Sequence, residues 1–252
     1  MVNELYHYGI KGQKWGVRRY QNEDGSYTTL GKMRRTYGEY SSGKKDISKV
    51  NRSHSDYNLD SWGKSKDNNI LWVTGPSGSG KSSIAKDIAN KNNADVISLD
   101  LYTCKTFKGK STNGMSKNFN NYLDKNYPGW SKQFSDAYKV LTRNDRRNIK
   151  KVGEWFDTLE DAIKGYGRDN YGKKKIVAEG IQVLDETLFY NNKQALKNQP
   201  VIIMDTSVAN SYISAAVRDK KVMDISLSPE RIKQIENLES YRKYLKTVMS
   251  DI

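Results

Sequence analysis

Apolar residues are scattered before residue 68 and gathered into short runs after it. Ile70-Leu71-Trp72-Val73-Thr74 is an unbroken run closed by Gly75, the pattern of a strand buried on both faces. Asp95 to Leu99, Ile176 to Ala178 and Val201 to Met204 repeat it, stopped by Asp100, Glu179-Gly180 and Asp205. Between them the period lengthens. Ser82 to Asn92 places Ile84, Ala85, Ile88 and Ala89 on one helical face. Lys132 to Val152, Glu154 to Lys164, Asp185 to Asn198, Ser207 to Lys220 and Pro229 to Met249 also predict helices, with Pro229 suited to a first helical position. Pro128-Gly129 and Gly165 to Gly172 predict loop breaks. Short apolar strands alternating with helices predict an α/β fold: a mainly parallel sheet covered on both faces.

The pattern divides the chain. Residues 1–40 predict a small, irregular, basic and aromatic segment, too small to hold a core alone. Residues 41–67 are polar and without periodicity, the composition of a linker. Residues 68–252 form the domain, with a helical insertion over 103–175. Composition narrows the chemistry further. No apolar run approaches the ~18 residues of a membrane span, so no membrane partner is expected. The opening residues MVNELYHYG lack the apolar core of a secretory signal. A single cysteine, Cys104, excludes an intramolecular disulfide, and His7 and His54 leave little for histidine-based metal chemistry. The net charge of +14 points to an anionic partner. Residues 1–66 carry 13 basic and 7 acidic side chains, so the excess is denser there but not confined there.

The strongest motif is Gly75-Pro76-Ser77-Gly78-Ser79-Gly80-Lys81-Ser82, which fits G-x-x-x-x-G-K-[ST] in full, after a strand and before a helix. Its glycines permit a tight turn whose backbone N–H groups point inward and, with the helix N-terminus, hold phosphate oxygens. Lys81 is placed to reach the β- and γ-phosphates, Ser82 to ligate Mg²⁺, and Ser83 completes the first helical turn. ATP and Mg²⁺ are the expected cofactors.

Three further segments resemble small P-loop kinases of the nucleoside and nucleoside-monophosphate type, uridine kinase being nearest in layout. They are Ser98-Leu99-Asp100-Leu101-Tyr102 after the second strand, Ile176-Val177-Ala178-Glu179-Gly180-Ile181, and Val201 to Asp205 followed by a helix carrying Arg218-Asp219-Lys220. The resemblance implies the three-layer P-loop NTPase fold over residues 68–252. It implies that Asp100 receives or orients the acceptor hydroxyl, that Asp100 and Glu179 join Ser82 around Mg²⁺, and that Arg218 closes over the phosphates. Lys81, Asp100, Glu179 and Arg218 are then the catalytic set. The plainer readings are a turn aspartate, a strand-end acid and a helix-end cation. The lid segment Arg218 to Asp224 departs from the family in lacking a second arginine, a place that Lys220 or Lys221 could take. Asp205 reads as a cap of the following helix, through Thr206 and Ser207.

Residues 103–175 fall where this family builds its acceptor site. Arg143, Arg146, Arg147 and Lys150 share one helical face, which could meet an anionic acceptor or simply be solvated. Tyr122, Tyr127, Trp130, Tyr138 and Trp155 offer stacking or core packing. The acceptor could be a nucleoside, a nucleotide, a sugar or a modified DNA base.

From His7 to Arg34 the pattern H-x-G-x-x-G-x-K-W-G-x-R-R-Y-Q-N-x-D-G-S-x-T-x-x-G-x-x-R resembles a short N-terminal module of tailed-phage and prophage proteins, often those encoded among head and morphogenesis genes. The resemblance implies a phage-encoded protein in the host bacterial cytoplasm or the virion. It implies a capsid or head partner met through residues 5–37, with Trp15, Arg18 and Arg19 at the contact. Together these readings predict a phage-encoded ATP-dependent phosphotransferase. The alternative is a nucleotide-binding or ATPase accessory protein of structure or packaging, with no phosphoryl acceptor.

Overall fold

The computed structural model describes residues 21–28, 53–76, 78–102, 116–143, 149–183 and 198–206, with single positions 31, 32, 35, 39, 44, 196, 210, 211, 240, 243 and 247. The architecture is α/β. Five strands, β1 (His54–Tyr57), β2 (Ile70–Thr74), β3 (Asp95–Ser98), β4 (Ile176–Glu179) and β5 (Val201–Met204), form one mixed sheet in the order β1-β5-β2-β4-β3. The pairs β2–β4, β2–β5 and β3–β4 are parallel, and β1 runs antiparallel on β5. Among the described residues the helices are α1 (Lys81–Asn92), α2 (Lys117–Asn126), α3 (Trp130–Arg143) and α4 (Ile149–Asp169).

The apolar runs form strands because both faces are covered. Leu71 and Val73 pack with Ala85, Ala89, Val177, Ile202 and Met204 on the α1 side. Ile70 and Trp72 pack on the other side with side chains of α2, α3 and α4. All five residues of β2 are buried, as a central strand requires.

Three features differ from the sequence reading. Residues 53–67 are not a linker. His54–Tyr57 is the edge strand, and Trp62 is buried against the sheet, where its Nε1 donates to Ile176 O at 3.2 Å and the Lys175 ammonium lies 4.6 Å from its ring centroid. A short polar edge strand needs only one covered neighbour, so it carries no apolar run to announce it. Second, Lys132 to Val152 is not one helix: α3 ends at Arg143 and α4 starts at Ile149. The two then pack on each other through Phe134 and Trp155. Third, α4 runs on through Gly165 and Gly167 to Asp169. A Cβ at Gly167 would lie 2.6 Å from Ile70 Cγ1, so this glycine lets the helix approach β2 instead of breaking. Of the two roles read for the aromatic residues, the structure bears out core packing. Trp155 is stacked on Trp130 at 6.2 Å, Tyr122 sits edge-on to Tyr166 at 5.2 Å, and Tyr127 and Tyr138 pack against the same cluster. They are not a platform for bases.

Residues 1–20, 77, 103–115, 144–148, 184–195, 197, 207–209, 212–239 and nearly all of 29–52 and 241–252 lie outside the described residues. So do most of the expected helices Asp185 to Asn198, Ser207 to Lys220 and Pro229 to Met249, the cationic face at Arg146 and Arg147, and the contact residues Trp15, Arg18 and Arg19. Of the N-terminal module, Gln21 and Tyr27 pair across a turn at Asp24-Gly25.

An ionic knot closes the amino end of β3. Asp95 accepts from Tyr166 Oη at 2.7 Å, Asn118 Nδ2 at 3.0 Å and Lys174 Nζ at 2.8 Å. Burial pushes its carboxyl up, but these donors outweigh burial and hold it below the ordinary 3.8. A depressed carboxylate stabilises the fold above its unfolded pKa and loses that contribution as pH falls through the folded one. Asp95→Asn is therefore expected to cost about 1.5–3 kcal/mol at neutral pH, the range of a hydrogen bond to a charged group. The gap from wild type should shrink below the ordinary carboxylate range. Denaturant melts of both proteins at neutral and acidic pH check this, and an unchanged gap refutes it.

Candidate functional site

The carboxyl ends of β2, β4 and β3 lie side by side. Val73 is in register with Glu179, and Glu179 with Ser98. Ligands of open α/β sheets bind beyond this edge, where consecutive connections diverge. Here β2 has β4 on one side and β5 on the other.

The loop from Gly75 to Gly80 leaves β2 and enters α1. Gly75 has φ 144°, and a Cβ there would stand 2.6 Å from Met204 Cβ, so only glycine fits both the dihedral and the space. The Ser79 N–H donates to Pro76 O at 3.1 Å, and the amides of Ser83 and Ile84 donate to Gly80 O at 3.1 and 3.0 Å, closing the first turn of α1. Gly80 caps that helix with a left-handed backbone. Pro76 and Ser79 are buried, Gly78 is half-buried, and Ser82 and Ser83 are exposed on the first turn.

Lys81 is only 8% exposed and its Nζ donates to Pro76 O at 3.1 Å. The ammonium is thus held over the loop. Glu179 is 1% exposed, and its Oε1 accepts from Ser98 Oγ at 2.5 Å. Burial pushes the Glu179 carboxyl up. The Ser98 hydrogen bond, the Lys81 charge and the Ser82 hydroxyl favour its ionised form, while Asp100 opposes it. Asp100 sits on a 3-10 turn, Leu99–Tyr102, and its Oδ1 accepts from Gln182 Nε2 at 3.3 Å. Lys81, Glu179 and Asp100 are therefore brought into one electrostatic group. Ser77 and Arg218 lie outside the described residues.

Buried polar atoms nearly always have partners. Thr74 Oγ1, Ser79 Oγ and Glu179 Oε2 have none among the described residues. They stand at the end of β2, in the loop and at the end of β4, around the same edge. A buried cation, a carboxylate oxygen and a hydroxyl on the first turn of a helix are groups of the kind that hold a phosphate with a hard cation. Among the described residues no three His, Cys, Asp or Glu side chains cluster to hold a metal by themselves. A metal here would depend on Ser82, Glu179 and the ligand's own oxygens, a donor set that fits Mg²⁺.

Three residues that sequence reasoning did not single out complete the site: Ser98, Gln182 and Thr206. Ser98 orients Glu179 and Gln182 touches Asp100. Thr206 Oγ1 donates to Ser79 O at 2.8 Å, and residues 207–209, where the helix that Asp205 was expected to cap would start, lie outside the described residues. Their shared signal is position, each within three residues of the carboxyl end of a strand.

Two family models match parts of the chain. Residues 1–22 match a family of unknown function (DUF7211), and residues 53–172 match the Nephrocystin 3, N-terminal family. The second match begins beside the edge strand β1. No curated protein and no solved structure matches the chain. No helix among the described residues is long and apolar enough to cross a membrane.

Proposed function

We propose that this protein binds Mg²⁺-ATP in the three-layer manner of P-loop kinases and transfers a phosphoryl group to a hydroxyl acceptor. The observation that carries the reading is the convergence of Lys81, Glu179 and Asp100 around a glycine loop at the carboxyl edge of the sheet. Lys81 offsets charge on the phosphates. Asp100, held through one oxygen by Gln182, keeps the other for the acceptor hydroxyl, orienting it and receiving its proton. Glu179 and Ser82 would hold Mg²⁺, which when bound neutralises phosphate charge. Three of the four strand pairings are parallel, which agrees with that fold. The same reading makes the chain phage-encoded, with residues 5–37 serving a head partner.

The buried position of Glu179 also suits activation of water, which favours a second reading as an ATPase without an acceptor. One assay separates the two: ATP consumption with and without a panel of nucleosides, nucleotides and sugars, followed by mass spectrometry of products. A phosphorylated acceptor is the expected result. Hydrolysis indifferent to every acceptor selects the ATPase, and no consumption at all overturns both.

A further inference from the structure

The end of β5 presses on the phosphate loop at two points. Met204 Cβ and O fill the space beside Gly75. Two residues later, Thr206, which is fully buried, donates its hydroxyl to Ser79 O at 2.8 Å. Thr206 is itself carried to a fixed place. Both backbone groups of its neighbour Asp205 are tied to Ser53: the Asp205 N–H donates to Ser53 O at 2.7 Å and Ser53 Oγ donates to Asp205 O at 3.0 Å. Ser211 Oγ, also buried, reaches Thr206 O at 3.4 Å.

A peptide unit is planar, and in the trans form its C=O and N–H point in opposite directions. No cis bond occurs among the described residues. A donor that fixes the Ser79 carbonyl on the β5 side therefore turns the Gly80 N–H away from β5. Gly80, with φ 102°, is a residue that could otherwise rotate at little cost. We propose that Thr206 is a positioning residue for phosphate binding: its hydroxyl locks the Ser79–Gly80 peptide so that the Gly80 N–H faces the bound phosphate. This rests on the nucleotide-binding reading above and extends it to a residue outside the G-x-x-x-x-G-K-S motif.

Thr206→Val keeps the shape and removes the donor; Thr206→Ser keeps the donor. Calorimetric titration with Mg²⁺-ATP and with inorganic tripolyphosphate reads the effect. Thr206→Val is expected to weaken both ligands about 5- to 10-fold, the consequence of losing one neutral hydrogen bond. Thr206→Ser should stay within about twofold of wild type, the rescue that a merely space-filling role would not give. Thr206→Ala, measured alongside, must show at least the loss seen for valine and keeps the test open if valine does not fold. Equal binding by wild type and the hydroxyl-free variants overturns the proposal. So does a loss confined to ATP, or a serine variant as weak as valine. If wild type binds neither ligand, the nucleotide-binding reading itself falls.

Discussion

Lys81→Ala is expected to lower ATP turnover by about 10²–10³-fold, the usual loss when one group that stabilises developing charge is removed. The effect on folding should be modest. Pro76 O loses the ammonium but keeps the Ser79 N–H at 3.1 Å, so the stability cost is that of one hydrogen bond from a charged group, about 1.5–3 kcal/mol. The neighbouring carboxyl feels the change as well. Lys81 is one of the groups that favour ionised Glu179, and removing it leaves burial to push that carboxyl further up. The residual activity of the variant should thus require higher pH than that of wild type. Lys81→Arg is not expected to rescue, because a planar fork does not fit a place built for a compact ammonium. Steady-state hydrolysis across pH, with thermal melts as control, checks this. A variant that turns over ATP at the wild-type rate refutes the assignment of the loop.

Legibility in the sequence followed apolar continuity. Ile70 to Thr74 and Val201 to Met204 were readable to the residue, because a strand buried on both faces must be apolar throughout. The phosphate loop was readable because a tight turn lined with amides demands glycines at fixed spacing. His54–Tyr57 was not, since an antiparallel edge strand with one neighbour can be polar along its length. Gly165 and Gly167 misled because a glycine that admits a neighbouring side chain looks, in sequence, like one that ends a helix. Within the site, Lys81 and Glu179 lay in recognisable strings. Ser98, Gln182 and Thr206 act through tertiary contacts spanning 81, 82 and 127 residues, which no local pattern records.

The helical layer also supports the site, through Trp155. Trp155 is 1% exposed, stacked on Trp130 at 6.2 Å and tilted against Phe134 at 5.5 Å. Its Nε1 donates to Tyr102 O at 2.9 Å, and Tyr102 closes the 3-10 turn that carries Asp100. Trp155→Ala removes the ring contacts with Trp130 and Phe134 of α3 and leaves a cavity, at an expected cost of about 3–5 kcal/mol. In a domain of this size that lowers the melting midpoint by roughly 6–20 °C. Trp155→Phe separates packing from the hydrogen bond. It keeps most of the ring contact, so its stability loss should be nearer 1–2 kcal/mol, while Tyr102 O is left buried without its donor. If the turn is held through that bond, Trp155→Phe should lower acceptor-dependent turnover several-fold, with little change in ATP affinity, because the phosphate loop hangs from β2 and β5 and not from α4. Denaturant melts, ATP titration and acceptor turnover on the same preparations decide it. A loss of ATP affinity as large as the loss of turnover would show that the helices support the whole edge of the sheet and not the Asp100 turn alone.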